Sequence, residues 1–191
     1  MFNSTSIGAM FQESVLRYGN DPCVSSRDAG GRYRSISYSE LDGLVRKLAL
    51  YLIEAGIHKG DKVALFSSNR YEWWLADLAI LSIGAINVPI FATNSAEEAD
   101  YIIKDSDAIF LMAGTAGHLA KGLEGAPGLL GALIFDEVRD LKPGVITLSA
   151  ALTKGAGHPD PSEFDRRLAS ISGSDLATFI YTSGTTGNPK G

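Results

Sequence analysis

Two periods alternate along this chain. Leu41, Leu44, Val45, Leu48 and Leu52 recur at helical spacing ahead of Gly56, and Ser37 with Glu40 forms a capping box at the start of that stripe. Ser95 and Glu98 repeat the box before a shorter helix carrying Tyr101, Ile102 and Ile103. Ile7, Phe11 and Val15 predict a first helix capped by Thr5 or Ser6 and ended by Gly19. Asn69 is placed to cap a further helix over about residues 71–81, whose Trp73 and Trp74 read as packing groups.

Between the helices stand apolar runs that do not alternate: residues 62–67, 85–90, 108–112 and 132–135. Strands of that kind are buried on both faces, as in a parallel sheet covered by helices. The fold class is therefore α/β, a mainly parallel sheet with helices on both faces. Residues 23–26 and 33–36 form a hairpin signal around the turn formers between them, and a helix is expected over His118 to Leu123. Residues 136–173 are broken by Pro143, Gly144, Gly155, Gly157, Pro159 and Pro161 and predict a surface excursion in which only 145–148 and 163–171 are structured. Residues 177–181, Ala-Thr-Phe-Ile-Tyr, close the pattern as a buried strand.

Composition narrows the function. With 45% hydrophobic and 20% charged residues over 191 positions, the chain can bury one substantial core, and no linker divides it. Seventeen basic residues against twenty-two acidic ones leave a net charge of -5, with no cluster of Lys and Arg on one face. Nucleic-acid binding and docking on anionic membranes are not expected. Residues 75–92 are mostly apolar, but Asp77, Gly84, Asn87 and Pro89 interrupt them, so they read as a helix-to-strand join and not a transmembrane segment. Cys23 stands alone and His58, His118 and His158 are scattered, so neither a disulfide nor a metal site is expected. The start of the chain has no basic stretch before an apolar one, which argues against a secretory signal and for a cytoplasmic location, with room for peripheral membrane contact.

The chemistry gathers at residues 181–191, Tyr-Thr-Ser-Gly-Thr-Thr-Gly-Asn-Pro-Lys-Gly. Thr182, Ser183, Thr185 and Thr186 offer hydroxyls, Gly184 and Gly187 let backbone N–H groups approach a ligand, and Lys190 supplies one positive charge. Many fixed donors around one cation suit a polyphosphate. A Walker A loop does not fit, because Pro189 precedes Lys190 and Gly191 stands where Ser or Thr would follow. Composition alone also fits a Ser/Thr/Gly-rich surface loop or tail; the order of the residues separates the two.

That order closely resembles the phosphate-binding signature of the AMP-forming adenylating enzymes, which include acyl-CoA synthetases, luciferases and peptide-synthetase adenylation domains. Residues 36–41, Ile-Ser-Tyr-Ser-Glu-Leu, resemble the first core motif of that family, and residues 81–90 resemble the second. In both, Ser37, Glu40, Gly84 and Pro89 have structural roles. The stretch after Pro89 looks like that of medium- and long-chain fatty acyl-CoA synthetases, since Phe91 stands where amino-acid adenylation domains usually carry an acidic residue.

The resemblance implies that a carboxylate attacks the α-phosphorus of Mg-ATP, giving an acyl-adenylate and pyrophosphate, and that coenzyme A then takes the acyl group. Thr182, Ser183, Gly184, Thr185, Thr186, Gly187 and Lys190 would hold the ATP phosphates. It implies no catalytic residue within residues 1–191, which correspond to the N-terminal part of the AMP-binding domain. The remainder, with most of the Mg2+ and coenzyme A contacts, would lie beyond Gly191, and the isolated chain would be inactive. Such an incomplete domain is expected to expose apolar surface and to self-associate. Two alternatives stand beside the fatty acid: another carboxylic acid substrate, amino or aromatic, and a non-catalytic scaffold or partner subunit if the chain is whole.

Overall fold

The computed structural model describes residues 5–27, 30–124, 126, 128–182 and 190–191. Ser6 starts helix α1 (Ile7–Tyr18) by accepting from Ala9 N at 3.2 Å. An antiparallel hairpin follows, β1 (Pro22–Arg27) with β2 (Tyr33–Ser37). Both halves of the capping box hold helix α2 (Tyr38–Glu54): Ser37 N donates to Glu40 Oε2 at 2.8 Å and Glu40 N to Ser37 Oγ at 3.2 Å.

Strands and helices then alternate: β3 (Lys62–Ser67), α3 (Tyr71–Ser82), β4 (Ile86–Phe91), α4 (Ala96–Asp105), β5 (Ala108–Ala113), α5 (Ala116–Leu123), β6 (Gly131–Ile134), β7 (Val145–Thr147), α6 (Leu148–Ala156) and α7 (Glu163–Ala169). Five strands pair in parallel in the order β4-β3-β5-β6-β7. Successive residues of one strand serve opposite cores. Val63, Leu65, Phe110 and Met112 join one with α1, α2, α3, α6 and α7, while Ala64, Phe66, Val88, Ile90 and Leu111 join another with α4 and α5. Burial on both faces is why these strands lack alternation.

Residues 136–173 are not a surface excursion. They contribute the fifth strand and two helices, and Leu148, Ala151 and Phe164 are buried in the first core. The misleading signal was Gly155, which ends nothing: a Cβ there would lie 1.8 Å from Lys47 O, so the glycine lets α6 lie directly against α2. Close helix contact and helix breaking use the same residue, and only packing tells them apart.

The start of α3 also differs from expectation. Arg70, and not Asn69, is its N-cap, with extended backbone at φ -156° and no side-chain bond to the helix. Two carboxylates, Glu72 and Asp136, hold the guanidinium and place Arg70 at the helix entry.

Residues 177–181 are an edge segment rather than a buried strand. They meet β4 through one parallel bridge, Asn87 with Thr178, in which Asn87 N donates to Ala177 O and Phe179 N to Asn87 O, both at 3.0 Å. Phe179 and Tyr181 turn toward the α4 side, whereas Leu176 and Ile180 remain exposed. Only one face of the segment is covered: Phe179 and Tyr181 pack inward, while Thr178 and Ile180 on the other face stay exposed. Lys59 guides the chain to this edge, its Nζ donating to Ser170 O at 2.8 Å and pairing with Asp175 at 2.6 Å.

Candidate functional site

The strand order reverses between β3 and β5, and open α/β sheets commonly bind ligands at the carboxyl ends of strands there. In this chain that place is filled. Gly114 N donates to Phe66 O at 2.9 Å, tying the two strand ends together. Arg70 crosses them, giving Glu72 two bonds of 2.7 Å, Asp136 one of 2.8 Å and Gly114 O one of 3.1 Å, with its guanidinium 5.7 Å from the Phe135 ring. The paired carboxylate of Glu72, itself buried, raises the Arg70 pKa against the opposing effect of burial. Bidentate pairing commits the guanidinium to the protein and makes it a latch, not an anion receptor.

The signature begins at the sheet edge, just after the segment that meets β4. Of the seven candidate phosphate-binding residues, Thr182 and Lys190 are placed; Ser183, Gly184, Thr185, Thr186 and Gly187 lie outside the described residues. Thr182 and Lys190 form an antiparallel bridge, Thr182 N donating to Lys190 O at 2.9 Å and Lys190 N to Thr182 O at 3.0 Å. Both are exposed. The structure thus brings together the first hydroxyl and the lysine, eight positions apart, as the neck of the intervening segment.

Tyr181 holds this neck from below. It is 5% exposed, and its Oη donates to Asp105 Oδ2 at 2.7 Å. Gly191 lies on the same ring, so closely that a Cβ there would come within 2.8 Å of Tyr181 Cζ. Burial first, then the Asp105 carboxylate, pushes the Tyr181 phenol above its usual range, and it stays a donor at neutral pH. A cavity of about 260 Å³ beside the ring is lined by Lys62, Asp105, Ser106, Asp107, Phe179 and Gly191. Two carboxylates against one ammonium make that side unfavourable for an anion.

A second polar pair sits under the edge segment. Asn87 Nδ2 donates to Asp77 Oδ1 at 2.7 Å, while Asn87 Oδ1 is buried without a partner. Burial raises the Asp77 carboxyl above the ordinary range, opposed by the Asn87 bond. Sequence reading missed Asp105, Asp77 and Arg70 as site-shaping residues. Asp105 precedes Tyr181 by 76 positions, and no local pattern joins them. His118 lies on α5, within the helix expected there, packs 4.7 Å from Phe66 and shares a 3.1 Å bond with Thr115. Trp73 packs on the first core, but Trp74 is 57% exposed. Among the described residues no group of three or more His, Cys, Asp or Glu side chains could hold a metal, and no helix is long and apolar enough to cross a membrane.

The model of the family described as "AMP-binding enzyme" matches residues 11–191. The chain belongs to the AMP-binding enzyme family. Relatives include the long-chain-fatty-acid–CoA ligase FadD15 of Mycobacterium bovis, 39% identical over 90% of this chain and 28% of the relative. The long-chain-fatty-acid–CoA ligase ACSBG2 of Xenopus laevis is 32% identical over 97% of this chain and 25% of its own length. The chain thus spans about a quarter of the length of these relatives.

Solved structures share its fold. The A domain of the carboxylic acid reductase of Segniliparus rugosus, solved with AMP and a carboxylic acid, superposes with a TM-score of 0.77 at 19% identity, over 99% of this chain and 35% of that one. The anthranilate CoA ligase AuaEII, in complex with anthranoyl-AMP, gives 0.76 at 18% identity, over 99% and 34%. At these identities the likeness is one of fold, and the chain superposes on about a third of each structure.

Proposed function

We propose that the protein bearing this chain is an ATP-dependent fatty acid–CoA ligase, and that residues 1–191 are the N-terminal part of its adenylate-forming domain. The observation that carries the reading is the Thr182–Lys190 neck. It closes a segment of hydroxyls and glycines and brings the ammonium-bearing residue to its base. A carboxylate oxygen of the fatty acid attacks the α-phosphorus of ATP and pyrophosphate leaves, giving the acyl-adenylate. The thiol of coenzyme A then attacks the acyl carbon, losing its proton, and AMP leaves.

Residues Thr182, Ser183, Gly184, Thr185, Thr186, Gly187 and Lys190 hold the β- and γ-phosphates in line for departure and offset their charge. They position the leaving group; the substrate provides the nucleophile. The acidic cavity behind Tyr181 favours the opposite side of the neck for the nucleotide. Magnesium enters with the nucleotide as its counter-ion. Support for a fatty acid over an aromatic or amino acid comes from Phe91 after Pro89 and from the 39% identity to a long-chain ligase.

The test is fatty-acid-dependent exchange of pyrophosphate into ATP by the full-length protein. Exchange with long-chain acids and none with amino acids or anthranilate is the expected result; exchange with anthranilate alone would replace the substrate class, and no MgATP binding would overturn the reading. A chain of these 191 residues alone gives no exchange. It also self-associates, because Trp74, Phe91, Leu176 and Ile180 are 57 to 64% exposed.

A further inference from the structure

The hydrogen bond between Tyr181 and Asp105 joins the signature to a helix that carries none of its residues. Asp105 is the last residue of α4, whose start is closed by the Ser95–Glu98 capping box and whose Ala99, Ile102 and Ile103 are buried. Just beyond it, Ser106 Oγ donates to Ile102 O at 2.6 Å and secures the helix end. The carboxylate therefore stands on a rigid support. It accepts from Tyr181 Oη at 2.7 Å through Oδ2, and Tyr101 Oη lies 3.4 Å from Oδ1.

On the other side, the Tyr181 ring carries both strands of the neck. Tyr181 immediately precedes Thr182, and Gly191, immediately after Lys190, lies on the ring with no space for a Cβ. Entry and exit of the loop thus rest on one phenol, and one carboxylate fixes that phenol. Asp105 is itself exposed while the Tyr181 ring is buried, and a bond to a charged acceptor is stronger than one between neutral groups.

We infer that Tyr181 and Asp105 are a positioning pair that sets the Thr182–Lys190 neck, and with it the phosphate loop, at the place where MgATP is gripped. Neither touches the nucleotide, and the assignment rests on the phosphate-loop reading above. The bond between them contributes binding energy for ATP specifically, because the Tyr181 ring carries the two ends of the neck; it has no part in holding the fatty acid or coenzyme A.

In the full-length protein, Tyr181→Phe keeps the ring under Gly191 and removes the donor, Asp105→Ala removes the acceptor, and Asp105→Asn keeps an oxygen acceptor. The first two raise KM for MgATP roughly tenfold, the usual order for one charge-assisted bond, and leave KM for fatty acid and coenzyme A unchanged. Asp105→Asn restores KM to within about twofold, and the double variant Y181F/D105A is no worse than either single one, as expected for one shared interaction. Lys190→Ala, which also raises KM for MgATP, is the control for the loop itself. If Lys190→Ala acts on MgATP while Tyr181→Phe and Asp105→Ala do not, the positioning role is overturned and the phosphate reading stands. If the two variants raise all three KM values alike together with a lower Tm, the pair is merely structural and the inference is again overturned. If Lys190→Ala also leaves KM for MgATP unchanged, the phosphate reading fails and the positioning role falls with it.

Discussion

Thr182 and Lys190 face each other across two backbone hydrogen bonds of 2.9 and 3.0 Å. Backbone pairing holds the lysine beside the first hydroxyl whatever the side chains do. Thr182→Pro removes the Thr182 N–H donor and one of the two bonds, at a cost of about 1 kcal/mol. Adenylation by the full-length protein, followed as pyrophosphate exchange, is expected to fall about fivefold, while Thr182→Val, which keeps the N–H and loses only the hydroxyl, separates backbone from side-chain effects.

Asp77 makes stability depend on pH. Its carboxyl pKa is raised by burial, so between the ordinary carboxylate range and that raised value the folded state binds more protons than the unfolded one, and stability falls as pH rises. Asp77→Asn removes the desolvated charge and supplies an N–H for the unpartnered Asn87 Oδ1. At pH 7 the variant is expected to be more stable by about 1 kcal/mol. The gain disappears in acid, where the wild-type carboxyl is neutral; urea unfolding at a series of pH values measures both.

Gly155→Ala tests the α2–α6 contact. A methyl group directed 1.8 Å from Lys47 O must force two helices apart, since backbone lines both sides. The loss is expected near about 3 kcal/mol, the upper part of the overpacking range, read as a lower denaturation midpoint with an unchanged m-value.

Arg70→Met leaves Glu72, 8% exposed, without its bidentate partner. Stranding a buried carboxylate costs about 3 kcal/mol. Because the latch lies at the closed β3–β5 junction, thermal unfolding should show the loss and KM for MgATP in the surviving enzyme should stay as it was.

Trp74→Lys is expected to reduce association of the 191-residue chain, shifting its sedimentation toward monomer, because it replaces an exposed aromatic side chain with a charge. An unchanged distribution would place the contact elsewhere.

Much of the fold was legible locally. The boxes at Ser37–Glu40 and Ser95–Glu98 and the non-alternating strands β3, β4 and β5 depend on neighbours within a few residues, and each appears as expected. Local patterns failed where a residue serves a distant partner. Gly155 resembles a break but is a contact with Lys47, and Asn69 has the chemistry of a cap but gives way to Arg70, which is held by Asp136. The run at 177–181 is apolar enough for a buried strand, yet only a count of its neighbours reveals an edge.

The order of residues by itself determined the α/β class and the family, because helix periods, caps and the family's motifs are written within short windows. Tertiary structure decided that Thr182 pairs with Lys190, that Arg70 closes the β3–β5 junction and that Asp105 holds Tyr181. Those relations join positions brought together by the sheet order, and hydrogen bonds form between atoms that are close in space, at whatever separation they have along the chain.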